Sequence, residues 1–184
     1  MPVLWNCPLS LQGRYMTSPV LKDEVMVAIG LGEMHVSTDT NTVLACLGLG
    51  SCIGVSAYDP VARVGAMAHI VLPQGNELDC QRTPAKFANS ALPYLVMEME
   101  RKGAIKNRII LKIAGGAKII NNVPAKSILD IGDRNVTAIK IAFAEHQLKI
   151  KSEDLLGKLG RSLWLHIETG ITRVRTTTSP VIEL

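Results

Sequence analysis

A cysteine at the end of a glycine-rich turn and a histidine inside an apolar run are the two residues that first raise the question of chemistry. Cys52 follows Gly48-Leu49-Gly50-Ser51, between the uncharged runs Val43 to Leu49 and Ile53 to Tyr58. A sharp turn there can present a side chain together with bare backbone N–H groups. Attack on a carbonyl needs both, a thiolate as nucleophile and donors for the oxyanion, and the N–H groups near Gly50 and Ser51 are the nearest donors. The same cysteine also reads as a small buried hydrophobe. His69 lies in Val64-Gly65-Ala66-Met67-Ala68-His69-Ile70-Val71-Leu72, a run that a hairpin through Asp59-Pro60 would return beside Cys52. A histidine across the ladder would depress the thiol pKa, whereas alone it also reads as a structural imidazole satisfied by a backbone carbonyl.

Other constellations lead nowhere as clearly. Gly115-Gly116 at a strand end either lets a substrate backbone approach or makes a plain tight turn. Gly48 to Gly54 misses the dinucleotide fingerprint by one position, and no P-loop lysine follows a glycine run. The cysteines at 7, 46, 52 and 80 have no C-x-x-C spacing, so no metal site is assigned and reduced thiols without disulfides are expected.

The elements that must position Cys52 and His69 come from periodicity. Val25 to Ile29, Val43 to Leu49, Ile53 to Tyr58, Val64 to Leu72 and Ile109 to Ala114 read as strands, and Leu163 to Arg175 reads as a hairpin turning at Glu168-Thr169-Gly170. Phe87, Ala91, Leu92, Leu95, Val96 and Met99 recur at helical spacing, with Thr83 as the expected cap, Pro84 in the first turn and Gly103 as the stop. A second helix is expected from about Gly132 to Gln147. Strands in runs with two segregated helices predict an α+β domain, a mostly antiparallel or mixed sheet covered by two main helices. It is expected to span residues 25–184, with residues 1–24 as an N-terminal extension.

Composition narrows the function classes. The 184 residues carry 20 Lys+Arg against 16 Asp+Glu, a mild net charge of +4, with no basic run to track phosphates and only 4% aromatics, so a nucleic-acid surface is not expected. The uncharged stretch Thr40 to Tyr58 is too polar and too broken by glycine for a spanning helix, so no membrane insertion is expected. No secretory leader is read at the N-terminus, and the protein is expected to be cytoplasmic.

The ordered set of motifs resembles the chemoreceptor glutamine deamidase family, CheD. It comprises Leu47-Gly48-Leu49-Gly50-Ser51-Cys52, Tyr58-Asp59-Pro60, Gly65 to Pro73, Lys112-Ile113-Ala114-Gly115-Gly116-Ala117, Ile131-Gly132-Asp133-Arg134-Asn135-Val136, Glu153-Asp154-Leu155, Gly160-Arg161 and Glu168-Thr169-Gly170. The likeness runs from about Met26 to Arg175. It implies an α/β sandwich and a cysteine hydrolase that converts glutamines on the cytoplasmic domains of chemoreceptors to glutamate, releasing ammonia without a cofactor. It implies Cys52 as nucleophile, His69 as general base, and a CheC-type phosphatase of CheY-phosphate as partner. Where the family pattern has a threonine supporting the histidine, this chain has Cys46, which makes Cys46 a possible third member. Phe87 to Ser90 and Leu156-Gly157 also depart from the pattern. Two other readings stay open: another thiol amidase or peptidase, and a non-catalytic regulator of the phosphatase.

Overall fold

The computed structural model describes residues 24–119 and 130–184. Cys7 and, except for Glu24, the proposed extension lie outside the described residues. Ten strands form two five-stranded sheets. The first joins β1 (Val25–Ala28), β3 (Thr42–Leu49), β8 (Arg161–His166), β9 (Thr172–Thr176) and β10 (Ile182–Glu183) in that spatial order. The second joins β2 (Met34–Ser37), β5 (Val64–Ile70), β4 (Ile53–Asp59), β6 (Ile110–Gly115) and β7 (Ile150–Leu155). The β1–β3 and β6–β7 pairs are parallel and the remaining pairs antiparallel. The expected α+β class holds, with the strands divided between two mixed sheets.

The second sheet is the middle layer, and the alternation of side chains along β4 shows why. Ile53, Val55 and Ala57 pack against Leu92, Leu95 and Met99 of α2 (Ala88–Arg101) and Ile139 and Phe143 of α3 (Ile131–Glu145). The intervening positions face the first sheet, where Tyr58 joins Leu44, Leu163 and Leu165, and Ser56 Oγ meets Thr172 Oγ1 at 2.9 Å. Covered on both faces, β4 and β5 are buried at every position. This accounts for their uninterrupted apolar runs, which an exposed antiparallel sheet would replace with alternation.

The Asp59-Pro60 hairpin forms as expected, with β4 and β5 in register from Ile53↔Ile70 to Asp59↔Val64. Asp59 is buried and accepts from Val61 N, Ala62 N, Ile105 N and the Arg108 guanidinium. Burial pushes its carboxyl up, but these donors more than offset that and bring it down to about 2. The helix start differs from the sequence expectation. A separate short helix, α1 (Glu77–Arg82), is capped by Asn76, and Pro84–Lys86 makes a 3-10 turn, so α2 begins only at Ala88. Thr83 does not cap α2, because its hydroxyl donates back to Asp79 O at 3.2 Å.

Candidate active site

Cys52 stands where the chain leaves the first sheet for the second. Near the end of β3 the register with β8 shifts between Cys46 and Leu49, and Gly48 takes φ +68. Gly50 and Ser51 then carry the chain across into β4. The turn is tied down through its carbonyls. Gly50 O accepts from Ala117 N at 2.7 Å, Cys52 O from Gly116 N at 2.8 Å, and Ser51 O from Asn135 Nδ2 at 2.8 Å. Among the described residues, the N–H groups of Ser51 and Cys52 have no intramolecular acceptor. Three successive carbonyls face inward to protein donors while two N–H groups stay available, an arrangement able to stabilise an oxyanion beside the thiol.

His69 reaches the same place through the hairpin. It pairs across the ladder with Gly54, and since its neighbours Ala68 and Ile70 face the helices, His69 faces the first sheet, the side on which Cys52 packs just before β4 begins. In this structure the Cys52 thiol and the imidazole are not hydrogen-bonded to each other. The ring is buried, 4% exposed. Its Nδ1 lies 3.2 Å from the Ile29 carbonyl, an acceptor, which places the proton on Nδ1 and leaves Nε2 as the unprotonated nitrogen. Nε2 is buried without a hydrogen-bond partner. The strand itself is anchored by His69 N donating to Glu33 O at 2.9 Å and His69 O accepting from Gly32 N at 2.9 Å.

Electrostatics favour a neutral pair in the resting site. Burial pushes the half-buried Cys52 thiol above its ordinary 9.0. Burial also lowers His69 below its ordinary 6.5, against the opposing effect of the Ile29 hydrogen bond. An imidazole that is neutral near pH 7 with a free Nε2 is suited to remove a thiol proton.

Cys46 is wholly buried in β3 and its thiol points at Ala68 O, 3.7 Å away, the carbonyl next to His69. The imidazole is oriented by Ile29 O and not by this thiol. Burial first, and then the neighbouring Cys52, hold the Cys46 pKa far up, so Cys46 is a neutral packing residue that keeps a weak bond to the β5 backbone. Cys46→Thr, which puts a hydroxyl within reach of the same carbonyl at little change in volume, should fold and retain activity within about threefold. Activity assays on the folded variant check this, and loss of activity would mean that the site depends on the thiol. Cys80, on α1, contacts Asn89 Oδ1 at 3.7 Å. Cys46, Cys52 and Cys80 are free thiols.

Gly115 and Gly116 support the turn from behind. Gly115 has φ +127, and a Cβ there would run into the Cys52 carbonyl oxygen. Its carbonyl accepts from Arg161 Nη1 at 2.6 Å and from Leu156 N at 2.9 Å, while the N–H of the same peptide unit, on Gly116, donates to Cys52 O. The Gly116 N–H is thus already committed and is not a donor to substrate. Arg161, 6% exposed, also reaches Asp154 O and Leu156 O, so a buried guanidinium from the first sheet braces the edge of the second. Sequence reasoning missed Ile29, Asn135 and Arg161 as site residues. The last two were visible only as members of motifs.

An open cleft of about 830 Å³ lies elsewhere, lined by Pro73, Gln74, Asn89, Asp133, Ile141 and Glu145 among others, and contains neither Cys52 nor His69.

Comparison with known proteins gives the family. The family described as CheD chemotactic sensory transduction matches residues 71–176. A probable chemoreceptor glutamine deamidase CheD of Symbiobacterium thermophilum is 41% identical over 157 residues, covering 85% of this chain and 95% of the relative. Proteins of the same name from Clostridium novyi and Desulforamulus reducens are 38% and 36% identical over 84% and 87% of this chain, covering 94% and 96% of those relatives. The chain belongs to the CheD family.

Proposed function

We propose that this chain is a protein-glutamine glutaminase acting on chemoreceptors, with Cys52 as nucleophile and His69 as general base. The observation that carries the reading is the free, buried Nε2 of His69 on the face it shares with Cys52, beside two uncommitted backbone N–H groups. The names of the relatives supply the substrate class, the glutamine side chains of chemoreceptors.

His69 Nε2 takes the thiol proton as Cys52 Sγ attacks the carboxamide carbon. The Ser51 and Cys52 N–H groups hold the oxyanion of the tetrahedral intermediate. The imidazolium then gives its proton to the departing nitrogen, leaving a thioester and ammonia. Next, the neutral imidazole draws a proton from water, whose oxygen attacks the thioester, and the proton returns to the thiolate as glutamate leaves. Proton, nucleophile and water balance without a metal or cofactor.

The substrate lies on the cytoplasmic domains of receptors, so the protein works in the cytoplasm. Among the described residues no helix is long and apolar enough to cross a membrane. A CheC-type phosphatase of CheY-phosphate is the proposed regulatory partner. The catalytic domain spans residues 25–184, preceded by an extension over residues 1–24.

The resting charges set the pH dependence. The reactive form has His69 neutral with the thiol protonated. His69 is depressed, so the acid limb of kcat/KM should fall below pH 6.5, and Cys52 is raised, so the alkaline limb should lie above pH 9.0. A narrow bell with both limbs between those values would contradict it. Incubation of a receptor cytoplasmic fragment should release ammonia with the backbone uncut. New peptide termini would instead identify a thiol peptidase, and no change in either measurement a non-catalytic regulator.

A further inference from the structure

We infer that Asn135 is a positioning residue that fixes the Cys52 strand against the His69 strand, an inference resting on the Cys52–His69 reading. Asn135 is completely buried in α3. Its Nδ2 donates to Ser51 O at 2.8 Å and to Val71 O at 2.9 Å. The first carbonyl immediately precedes Cys52 and the second lies two residues after His69. The β4–β5 ladder ends at Ile53↔Ile70. Asn135 sits just past that end, where the strands have no further backbone pairing, and its two amide hydrogens bridge them.

The amide orientation follows from its neighbours. Both are carbonyl oxygens, so only the amino end can face them, and Oδ1 is left buried without a partner. Leaving that acceptor unsatisfied opposes folding, and the two bonds to the reactive hairpin stand against that cost. The first turns of α3 are fitted closely to the same region. A Cβ at Gly132 would lie 2.7 Å from Gly116 O, so the helix approaches the glycine pair as nearly as its backbone allows. That approach brings Asn135 to the hairpin end.

Nothing else among the described residues bridges those two carbonyls. With the bridge removed, the Cys52 turn keeps its ties to Gly116 and Ala117 on the β6 side but loses its tie to the β5 side, which carries the base. The thiol and imidazole can then separate without the fold opening.

The test measures alkylation of Cys52 by iodoacetamide across pH, resolved by peptide mass spectrometry, in the unaltered protein, His69→Ala and Asn135→Ala. In the unaltered protein the profile should carry an inflection that His69→Ala removes. Asn135→Ala should remove or flatten the same inflection while wholly buried Cys46 stays unlabelled. Against a receptor fragment, kcat should fall about tenfold or more with KM within about twofold, because positioning is lost and the binding surface is not. If Asn135→Ala does not fold, Asn135→Ser, too short to span both carbonyls, carries the same measurement. An inflection lost in His69→Ala but intact in folded Asn135 variants would overturn the positioning role alone. A profile unchanged by His69→Ala would overturn the dyad, and this role with it.

Discussion

Cys52→Ala and His69→Ala should each lower deamidation by about 10³-fold or more, and the double variant should be little worse than Cys52→Ala. In the proposed mechanism, attack by the thiolate and delivery of its proton to the departing nitrogen belong to one sequence of bond changes. Once the nucleophile is gone, the base has nothing to activate, and the second loss adds little. The His69 effect should also change the pH profile by removing the acid limb assigned to the imidazole. Neither truncation deletes a large surface anchor, since His69 is buried and Cys52 half-buried, so any binding to the proposed CheC-type partner should survive both. Rate assays on the three variants, with thermal melts as a folding control, check this. Additive losses in the double variant would mean that the two residues act in separate steps.

The second large effect belongs to a residue packed against the Cys52 turn. Gly115→Ala should cost about 3 kcal/mol or more of folding stability and abolish activity in whatever folds. Two penalties coincide there. The φ of +127 is one that side-chain-bearing residues rarely adopt, and the added Cβ would meet the Cys52 carbonyl, which is backbone and cannot swing aside. Relief would require displacing the Gly115–Gly116 peptide, whose carbonyl is held by Arg161 and whose N–H holds the Cys52 turn. Gly48→Ala is the control. Its φ is +68, yet its Cβ would have open space, so the backbone penalty alone applies, about 1–2 kcal/mol. Chemical denaturation of both variants checks the difference, and equal losses would show that the collision with Cys52 O is relieved cheaply.

How far the sequence discloses this protein depends on what each contact is made of. β3, β4 and β5 are legible because burial on both faces of the middle sheet writes long apolar runs. The same burial hides the topology. β3 and β4 are adjacent in sequence and look like partners across a turn, yet they lie in different sheets, and only a change of layer at Gly50 and Ser51 explains the bulge before them. β2 and β7 leave little trace. The first has four residues, and the second, Ile-Lys-Ser-Glu-Asp-Leu, is an edge strand that exposes Lys151 and Glu153. Thr83-Pro84 looks like a helix start because the residue types fit one, but α1 takes Thr83 for its own end.

Within the candidate site the proposed reactive side chains are readable and their supports are not. Cys52 and His69 stand out by type and by the hairpin between them. The group that orients the imidazole is a main-chain carbonyl at Ile29, and any residue has one. Asn135 acts on Ser51 from 84 positions away, and Arg161 on Gly115 from 46. No local pattern encodes such pairings. Cys46, a position weighted by family pattern, faces the Ala68 carbonyl beside the histidine, while the ring nitrogen Nδ1 meets Ile29 O.

The most direct test of the central claim is mass spectrometry of a receptor cytoplasmic domain before and after incubation with the unaltered protein and with Cys52→Ala. Hydrolysis of an amide to a carboxylate should add about 1 Da at particular glutamines with the unaltered protein and none with the variant. Conversion by Cys52→Ala at a rate near that of the unaltered protein would contradict the nucleophile assignment and the mechanism built on it.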